Sequence, residues 1–491
     1  MTDDAKPNLT PANENPWYLL ATLYGEQEEV RDSKWLLLVP IGEANRKAWN
    51  RWMATAFQSE ELETLLPLAH IKGDLKPFTS EETDEFRAAF AKRAGRQDIE
   101  PPNPSKEFMD FSRCQFDRPV FFRGFIFPRL AHFIESKFSG PVYFDTALFF
   151  SYVRFDMVHF GDFVSFHMTD FRSGASFEKA HFARVAFFEN SKFDAAAFFE
   201  GAQFCGNASF VKTTFLQKTS FDHAEFLKSA QFTEAIFSTD TVFENTSFGS
   251  DADFQSAGFL SATYFGDSIF AGRAKFNGTD FKLYMSFIRS KFQKSVPDFR
   301  DAKLPEATEL HGAKWPSPPK NHEDAQQQIY AYERLKAEME RLKKHEDEQF
   351  FFARELRARR ALLWLRIGDK KRRFGERVND GVAWFMNSAY DSLGSYGLSV
   401  VRPIFWLVSL FSVGFVILAS TNSLDDGPME PSDAAALSVT NLISLLPYKP
   451  DKLITDHLTP AAKIIGNIQS VLGLILLFLL GLALRNRFRM K

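Results

Sequence analysis

The chain has 491 residues, with 59 lysines and arginines against 62 aspartates and glutamates, which gives a net charge of −3 at pH 7. This length predicts two or three domains and excludes a single hydrophobic core. The near-neutral charge excludes a general electrostatic attraction to nucleic acid. Phenylalanine is strongly over-represented, with 56 copies, and its spacing is the main structural signal in the chain.

The first 105 residues precede the phenylalanine-rich region. Residues 1–14 are polar and predict a disordered lead, and Met1–Asp4 lacks the basic and apolar regions of a signal peptide. Residues 15–105 predict a small α/β domain that caps the next region. Its predicted elements are a strand over 35–39, a helix over 43–69, and a helix over 79–94 capped by Ser80.

Polar and aromatic residues cluster in the predicted first helix, at Asn45, Arg46, Trp49, Asn50, Arg51 and Trp52. The same mixture opens the domain at 15–18. A binding site is one interpretation of this cluster. Aromatic packing with solvated arginines is the preferred one, because aromatic residues are usually buried.

Between Phe111 and Phe292, phenylalanines recur at gaps that alternate between five and six residues. A small residue lies two positions before most of them, as Ala175 does before Phe177 and Ala197 before Phe199. An amphipathic helix repeats every 3.6 residues and a strand every two, whereas a longer fixed period indicates a solenoid. We call this pattern the phenylalanine repeat.

The phenylalanine repeat resembles the pentapeptide-repeat family, which has a central Leu or Phe and a small residue two positions before it. The resemblance implies a right-handed, four-sided parallel β-helix over residues 106–316. The extra residue in every second side predicts coils of about 22 residues, and about eight coils at roughly 4.8 Å per coil make a rod of about 40 Å. The repeat slips by one residue at Val296-Pro297, resumes at Phe299 and ends near Trp315.

Two pairs of residues in the solenoid have predicted spatial relations. Cys114 and Cys205 lie about four coils apart, so that we expect no disulfide and a reducing compartment. His159 and His181 are predicted to stack on neighbouring coils, because each directly precedes a phenylalanine of the repeat. Two histidines alone make a poor metal site, so solvated surface is preferred, and we expect no metal and no cofactor.

The sequence carries no pattern typical of an enzyme. It has no glycine-rich phosphate loop, paired metal-ligand spacing or nucleophile elbow. Outward carboxylates such as Asp222, Glu225, Asp251 and Asp253 are scattered along the repeat without a shared pocket. We therefore expect a protein that is not an enzyme.

Residues 317–396 predict a charged helical linker. A long helix is predicted over 324–365, because Ile329, Tyr332, Leu335, Met339 and Leu342 are spaced by three or four residues. The basic run that follows consists of Lys370, Lys371, Arg372 and Arg373. Because it precedes an apolar segment, we interpret it as a juxtamembrane anchor to anionic lipid.

Residues 397–491 contain two apolar segments, at about 399–420 and 463–485, each long enough to cross a bilayer. The second is followed by further predicted anchors, Arg485, Arg487 and Arg489. The segment between them is mainly acidic, so the positive-inside rule places both termini and the solenoid in the cytoplasm. The expected location is a bacterial inner membrane.

Between the two apolar segments, residues 433–447 predict a helix too short to span, with Ser432-Asp433 as its cap and Pro447 at its end. The order of elements over 395–491 resembles a two-transmembrane, potassium-channel-like pore module with a re-entrant helix. The loop Leu445–Asp451 has no Thr-Val-Gly-Tyr-Gly-like filter, so potassium selectivity is not implied. An amphipathic helix lying on the membrane surface is an equal alternative. The candidate pore-lining residues are Asn441, Ser444, Lys449 and Asp451.

Two functional hypotheses follow. The first is a cytoplasmic β-helix scaffold or sensor coupled to an oligomeric, preferably tetrameric, two-transmembrane pore. The second is a non-conducting scaffold that the apolar segments anchor in the lipid bilayer, with a protein partner on the β-helix. A DNA-mimicking, topoisomerase-protecting protein is less favoured, because residues 111–300 carry about 20 basic and about 20 acidic side chains. We expect no nucleic-acid partner.

Overall fold

A computed structural model describes residues 9–27, 40–58, 60–61, 72–76, 78–420, 423–424, 427, 429–443 and 457–489. It divides into two compact units, Met1–Ser317 and Pro318–Lys491.

The first unit is built around a four-sided parallel β-helix of about nine turns, with two ten-stranded and two eight-stranded sheets. Between Met109 and Phe292, each strand pairs with the strand 22 residues later, as His159 does with His181 and Phe160 with Phe182. One complete coil consists of the strands Ala175–Ser176, His181–Phe182, Ala186–Phe187 and Lys192–Phe193. The predicted four-sided solenoid with its 22-residue coil is confirmed.

The four sheets are staggered along the chain. The ten-stranded sheets run from Thr10–Pro11 to Lys291–Phe292 and from Met109–Asp110 to Ala307–Glu309. The eight-stranded sheets run from Val120–Phe121 to Ala274–Lys275 and from Ile126–Phe127 to Asp280–Phe281.

The phenylalanine repeat fills the interior. Phe199 is fully buried, and its ring stacks on those of Phe177 and Phe221 at 4.9 and 4.7 Å, within 5° of parallel. It meets Phe188 and Phe210, which belong to one other stack of rings, edge to face at 5.6 and 5.5 Å. Both are favourable aromatic geometries. The small residues two positions earlier are also fully buried, so large and small side chains together close the core.

The alternation of five- and six-residue gaps has a backbone cause. In the five-residue gap after Phe177, the amide of Ala180 donates to the Phe177 carbonyl at 3.1 Å, and Lys179 adopts a left-handed φ of 54°. The same tight turn recurs at Asn190, with a φ of 56°. The six-residue gaps between Phe116 and Phe287 have no residue with a positive φ, except for Gly174 at 93°.

The last coil is one residue longer than the others. Tyr284 pairs with Ala307, 23 residues later, and the ring of Phe276 stacks on Phe299 at 5.1 Å. Trp315 covers Phe292 at 5.4 Å. The predicted slip after Val296-Pro297 is therefore confirmed.

The prediction of a disordered lead is wrong for residues 10–14. Thr10–Pro11 forms a strand that extends the first ten-stranded sheet by pairing with Cys114 and Gln115, and the amide of Thr10 donates to the Arg113 carbonyl at 2.9 Å. Ala12–Glu14 is a 3₁₀ turn. This segment orders because its backbone groups complete a sheet edge. Residues 1–8 lie outside the described part.

Among the described residues that precede the β-helix, three α-helices have defined bounds: α1 (Pro16–Ala21), α2 (Pro40–Ala54) and α3 (Ser80–Ala94). The prediction that Ser80 caps α3 is wrong. The cap is Thr79, because its hydroxyl accepts from the Glu82 amide at 3.2 Å while the Glu82 carboxylate accepts from the Thr79 amide at 2.8 Å. The predicted strand over 35–39 and most of the predicted helix beyond Ala54 lie outside the described residues.

Helix α2 covers the first edge of an eight-stranded sheet. The Asn50 side chain accepts from the Ile126 amide and donates to the Gly124 carbonyl, both at 2.9 Å. The Trp49 indole donates to the Ile126 carbonyl at 2.7 Å. Since an open edge would leave such groups unpaired, the polar and aromatic cluster acts as a cap. The packing interpretation is correct for Trp49, which is fully buried, but Arg46 is not solvated, because it pairs with a buried carboxylate at 2.8 Å.

Replacing Asn50 with alanine is expected to loosen the first coil. The change leaves the Ile126 amide and the Gly124 carbonyl without partners, at about 1–3 kcal/mol for each buried group. Amide exchange across 120–127 should accelerate, while exchange in coils beyond residue 177 should not change. The matched control is Asn207→Ala, because Asn207 is an exposed asparagine on a middle coil and has no left-handed φ. Equal protection of 120–127 in both variants would contradict the capping role.

The second unit contains six helices among its described residues: α4 (His322–Arg341), α5 (His345–Gly368), α6 (Phe374–Gly394), α7 (Val401–Ser420), α8 (Pro431–Leu442) and α9 (Pro460–Arg489). The single helix predicted over 324–365 is wrong. The chain turns at 342–344, where Lys343 has a φ of 58°.

Helices α4 and α5 fold back on each other as an antiparallel hairpin. Tyr332 faces Phe351 at 6.3 Å, and Lys336 pairs with Glu355 at 2.6 Å. The predicted apolar face of α4 is confirmed, because Tyr332, Leu335 and Met339 are buried. It is buried against the next helix of the same chain, which is why one long helix is not formed.

Candidate functional site

Helices α7, α8 and α9 form a bundle at the carboxyl end. Both α7 and α9 are long and apolar enough to cross a membrane, with mean hydropathies of 2.1 and 2.2. They are the two helices predicted at about 399–420 and 463–485. The buried side of α9 is a narrow stripe of Ala462, Gly466, Gln469, Gly473, Leu476, Leu479, Ala483 and Asn486.

Helix α8 reaches from one end of this bundle to its middle. Near its start, Ala434 and Leu437 pack in one cluster with Leu418 of α7 and Ala462 of α9. At its last residue, the Leu442 carbonyl lies against Gly473, where an added Cβ would come within 2.4 Å of the oxygen. Gly473 is close to the midpoint of α9.

The chain returns to the end at which α8 begins. Residues 444–456 lie outside the described part, and the chain is described again from His457. The Thr459 amide donates to the Ser423 carbonyl at 3.0 Å, just beyond the end of α7. The segment 429–459 therefore starts and finishes at the same end of the bundle.

Glycines allow the three helices to approach closely. A Cβ added at Gly414 of α7 would lie 2.5 Å from the Gln469 side chain, and one at Gly466 would lie 2.8 Å from the Asn441 amide. Small residues at helix contacts are typical of packing inside membranes, where close approach supplies the attraction.

A buried polar pair lies where the helices meet. The Gln469 amide donates to the Ser438 hydroxyl at 2.5 Å and to the Leu410 carbonyl at 3.3 Å. The Ser438 hydroxyl lies 3.2 Å from the Phe411 carbonyl. Ser438 is fully buried and Gln469 is 2% exposed, yet Gln469 Oε1 has no hydrogen-bond partner among the described residues. Such a buried acceptor costs free energy unless it meets water or another donor.

A charged junction connects the helical hairpin to the first apolar helix. Asp391, in the last turn of α6, pairs with Arg357 and Arg360 of α5 at 3.2 and 2.8 Å. Arg402 of α7 donates to the Asp391 carbonyl at 2.7 Å. Burial alone raises the pKa of Asp391, but the hydrogen bonds and charges of the arginines outweigh it and hold that pKa below its ordinary value.

We expect Asp391 to stabilise this junction in a pH-dependent way. Because its folded-state pKa is depressed, the stabilisation is present above the ordinary aspartate pKa of about 3.9 and is lost as pH falls through the folded value. The difference in thermal stability between the wild type and Asp391→Asn should therefore shrink on acidification. Glu376→Gln, an exposed change on the same helix, is the control. A difference that stays constant with pH would contradict the assignment.

The outer surface of the solenoid carries the predicted histidine pair. The rings of His159 and His181 stack at 4.6 Å and 12°, as predicted. Cys205 Sγ lies 3.5 Å from His181 Nε2. Cys114 and Cys205 are free thiols, and burial raises the pKa of Cys114 to about 11. Within the described residues, no three His, Cys, Asp or Glu side chains are placed to hold a metal ion.

Comparison with protein families decides the nature of the solenoid. Residues 177–225 and 221–269 match the family model described as pentapeptide repeats (9 copies). The solenoid is a pentapeptide-repeat domain. No curated protein and no solved structure matches the chain. The resemblance of residues 395–491 to a potassium-channel-like pore therefore receives no support from these comparisons.

The surface of the pentapeptide-repeat domain balances its charges locally. Carboxylates and cations of successive coils pair, as in Asp267 with Arg289 at 2.5 Å and Asp253 with Lys275 at 2.9 Å. A mimic of duplex DNA needs a continuous acidic surface, which this pairing opposes.

The predicted pore-lining residues fall into two groups. Asn441 is half-buried and packs on Gly466 of the same chain, one helical turn from Ser438. Ser444, Lys449 and Asp451 lie outside the described residues. The predicted cap Ser432-Asp433 is wrong, because α8 begins at Pro431 with Glu430 as its cap residue, and a proline at the first helical position needs no donor.

The predicted anchoring residues lie at two places in the second unit. Lys370, Lys371, Arg372 and Arg373 form the turn between α5 and α6. Arg372 is engaged with Glu376 at 3.2 Å and Asp380 at 2.5 Å. Arg485 and Arg487 are exposed in the last turns of α9, which ends at Arg489.

Sequence reasoning missed Ser438 and Gln469. Gln469 had a detectable signal, since it is an uncharged polar residue inside an apolar segment, a position at which polar residues are usually functional. It also shares the three- and four-residue spacing of Ala462, Gly466 and Gly473. Ser438 had no such signal, because serine is common in short helices.

Proposed function

We propose that this is a non-enzymatic, membrane-anchored pentapeptide-repeat protein whose α7–α9 bundle assembles with its copies into an ion-conducting pore. The protein lies in a bacterial inner membrane, with its solenoid and both termini in the cytoplasm. There the solenoid acts as a scaffold or sensor for a protein partner. The observation that carries the proposal is that α8 ends beside the middle of α9.

The backbone at the end of α8 supports a pore. The last carbonyls of any helix have no partner within the helix. At the depth of a bilayer, non-helical backbone is tolerated only where protein buries it or where it lines a water-filled cavity. Gln469 Oε1, which has no partner in the described part of the chain, lies close by and has the same requirement. A ring of copies around an aqueous axis would satisfy both.

A second candidate is a non-conducting anchor for the solenoid. One observation favours it: α8 already buries Leu437 and Ser438 against α7 and α9 of its own chain. A single chain therefore satisfies much of α8 without copies, and a fixed ring is not required for an anchor.

The mass of the particle and its ion flux distinguish the two. We expect the full chain in nanodiscs to form a closed ring, preferably of four copies. Liposomes that contain the protein should release ions. Gln469→Leu, which removes the buried amide, should change the flux more than Ile475→Leu on the exposed side of α9. A monomer or dimer without flux would overturn the pore and leave the anchor.

A further inference from the structure

Helix α6 has an unusual distribution of side chains. Five large apolar residues of this helix are exposed and lie three or four residues apart along one face: Phe374 at 79%, Val378 at 48%, Val382 at 60%, Phe385 at 63% and Met386 at 64% exposure. A helix on the surface of a soluble domain presents polar residues outward. This face is apolar over the length of the helix.

The opposite face of α6 is polar and packs inward. The Asn387 amide donates to the Leu356 carbonyl at 3.2 Å, and its oxygen accepts from the Tyr396 hydroxyl at 2.6 Å. Asp380 binds Arg372, and Arg377 donates to the Ile367 carbonyl at 2.8 Å. With Asp391 in the charged junction, these contacts fix which face points out. The apolar face is thus held outward by specific hydrogen bonds.

The end of α6 lies at the start of the first apolar helix. The Trp406 indole of α7 donates to the Ser392 carbonyl at 3.3 Å. Ser395, Tyr396 and Gly397 have left-handed φ values of 49°, 57° and 81° and break the chain sharply between the two helices. If α7 crosses a bilayer, the last turn of α6 is therefore at its cytoplasmic boundary.

Positive charge lies at the other end of α6. Lys370, Lys371 and Arg373 have no carboxylate partner among the described residues, unlike Arg372. Trp364 is 60% exposed on α5 and lies 5.2 Å from Trp384 of α6. Exposed tryptophan and unpaired cations beside an apolar face are typical of helices that lie in the interface of an anionic bilayer.

We propose that α6 lies in the cytoplasmic interface of the bilayer, with its apolar face among the acyl chains. The basic turn that precedes it, with Lys370, Lys371 and Arg373, lies on anionic headgroups. The inference rests on the proposed membrane crossing of α7 and α9. It adds a third membrane contact, on a helix too polar to span, that joins the α4–α5 hairpin to the pore module.

Photo-crosslinking tests this placement in the full chain. A photoreactive amino acid is placed at Val382 on α6, at Ile468 on the exposed side of α9, or at Leu283, an exposed apolar residue of the solenoid. Vesicles contain phosphatidylcholine with phosphatidylserine, and adducts are identified by mass. We expect lipid adducts at Val382 and Ile468 but not at Leu283.

The other outcomes overturn the inference in distinguishable ways. Lipid adducts at Ile468 with adducts between two chains at Val382 would show that a second copy covers α6. Lipid adducts at Ile468 and no adduct at Val382 would show that the apolar face of α6 is exposed to water. No lipid at either position would refute the membrane crossing itself.

The charge of the basic turn is tested separately. Changing Lys370, Lys371 and Arg373 together to glutamine should lower the lipid adduct at Val382 severalfold, since cations near an anionic surface are attracted to it. Omitting phosphatidylserine should do the same to the wild type, and Ile468 should be unaffected in both cases. An unchanged adduct at Val382 would overturn the role of the headgroups.

Discussion

Replacing Phe199 with alanine is expected to destabilise the middle of the pentapeptide-repeat domain by about 3–5 kcal/mol. The ring is fully buried between Phe177 and Phe221, and its removal leaves a cavity. The stacked coils above and below are held by their own columns and cannot close it. A solenoid contacts only its neighbouring coils, so the loss should be local.

Amide exchange in the full chain measures this effect. Protection of the strands between Phe177 and Phe221 should fall by about two to four powers of ten, because 1.4 kcal/mol is a factor of ten. Strands near Phe122 should keep theirs. The matched control is Phe198→Ala, since Phe198 is the adjacent residue and is only half-buried on the outside. It should cost about 1 kcal/mol or less.

Equal losses in the two variants would contradict the inward assignment of the phenylalanine repeat. Loss of protection along the whole solenoid would instead contradict its nearest-neighbour character and show that the coils unfold as one unit.

The repeat was predictable because its physics is local and iterated. Each coil places the same residue types at the same positions. The period can therefore be read from many coils together, even where one position departs from the pattern. The slip at Val296-Pro297 was visible for the same reason, and Tyr284 does pair with Ala307 one residue out of the earlier register. The two apolar helices were predictable from length and hydropathy alone.

Features that depend on contacts between distant segments were not predictable. Thr10–Pro11 is polar and isolated in sequence, and it becomes a strand because Cys114-Gln115 offers an open edge. Asn50 caps Ile126 from 76 residues away. Neither partner shows in the local pattern of the other, so the lead was predicted to be disordered and the asparagine had no assigned role.

The helical unit shows a different limit. The spacing of Tyr332, Leu335 and Met339 correctly predicts an apolar face, but spacing does not say what covers it, and α5 of the same chain does. The buried pair of Ser438 and Gln469 likewise needs the packing of three helices. Burial of polar groups is a tertiary property that hydropathy averages conceal.

Replacing Gly473 with leucine is expected to detach the end of α8 from α9. A Cβ at this position would come within 2.4 Å of the Leu442 carbonyl and 3.1 Å of its Cα. Both are backbone atoms that cannot rotate away, so the helices must separate. Overpacking of this kind costs about 1–3 kcal/mol, occasionally more. The Ser438–Gln469 hydrogen bond, about one helical turn away along α9, should weaken with it.

Gly481→Leu is the matched control, because it lies on the same helix and an added Cβ there meets no atom within 4 Å. Amide exchange of 434–442 in nanodiscs should accelerate in Gly473→Leu and stay at the wild-type rate in Gly481→Leu. If ion flux is present, it should be altered by the first change alone, since only that change moves α8. Wild-type exchange of α8 in Gly473→Leu would mean that the close contact at Leu442 does not hold this helix, and the argument for a pore would lose its structural basis.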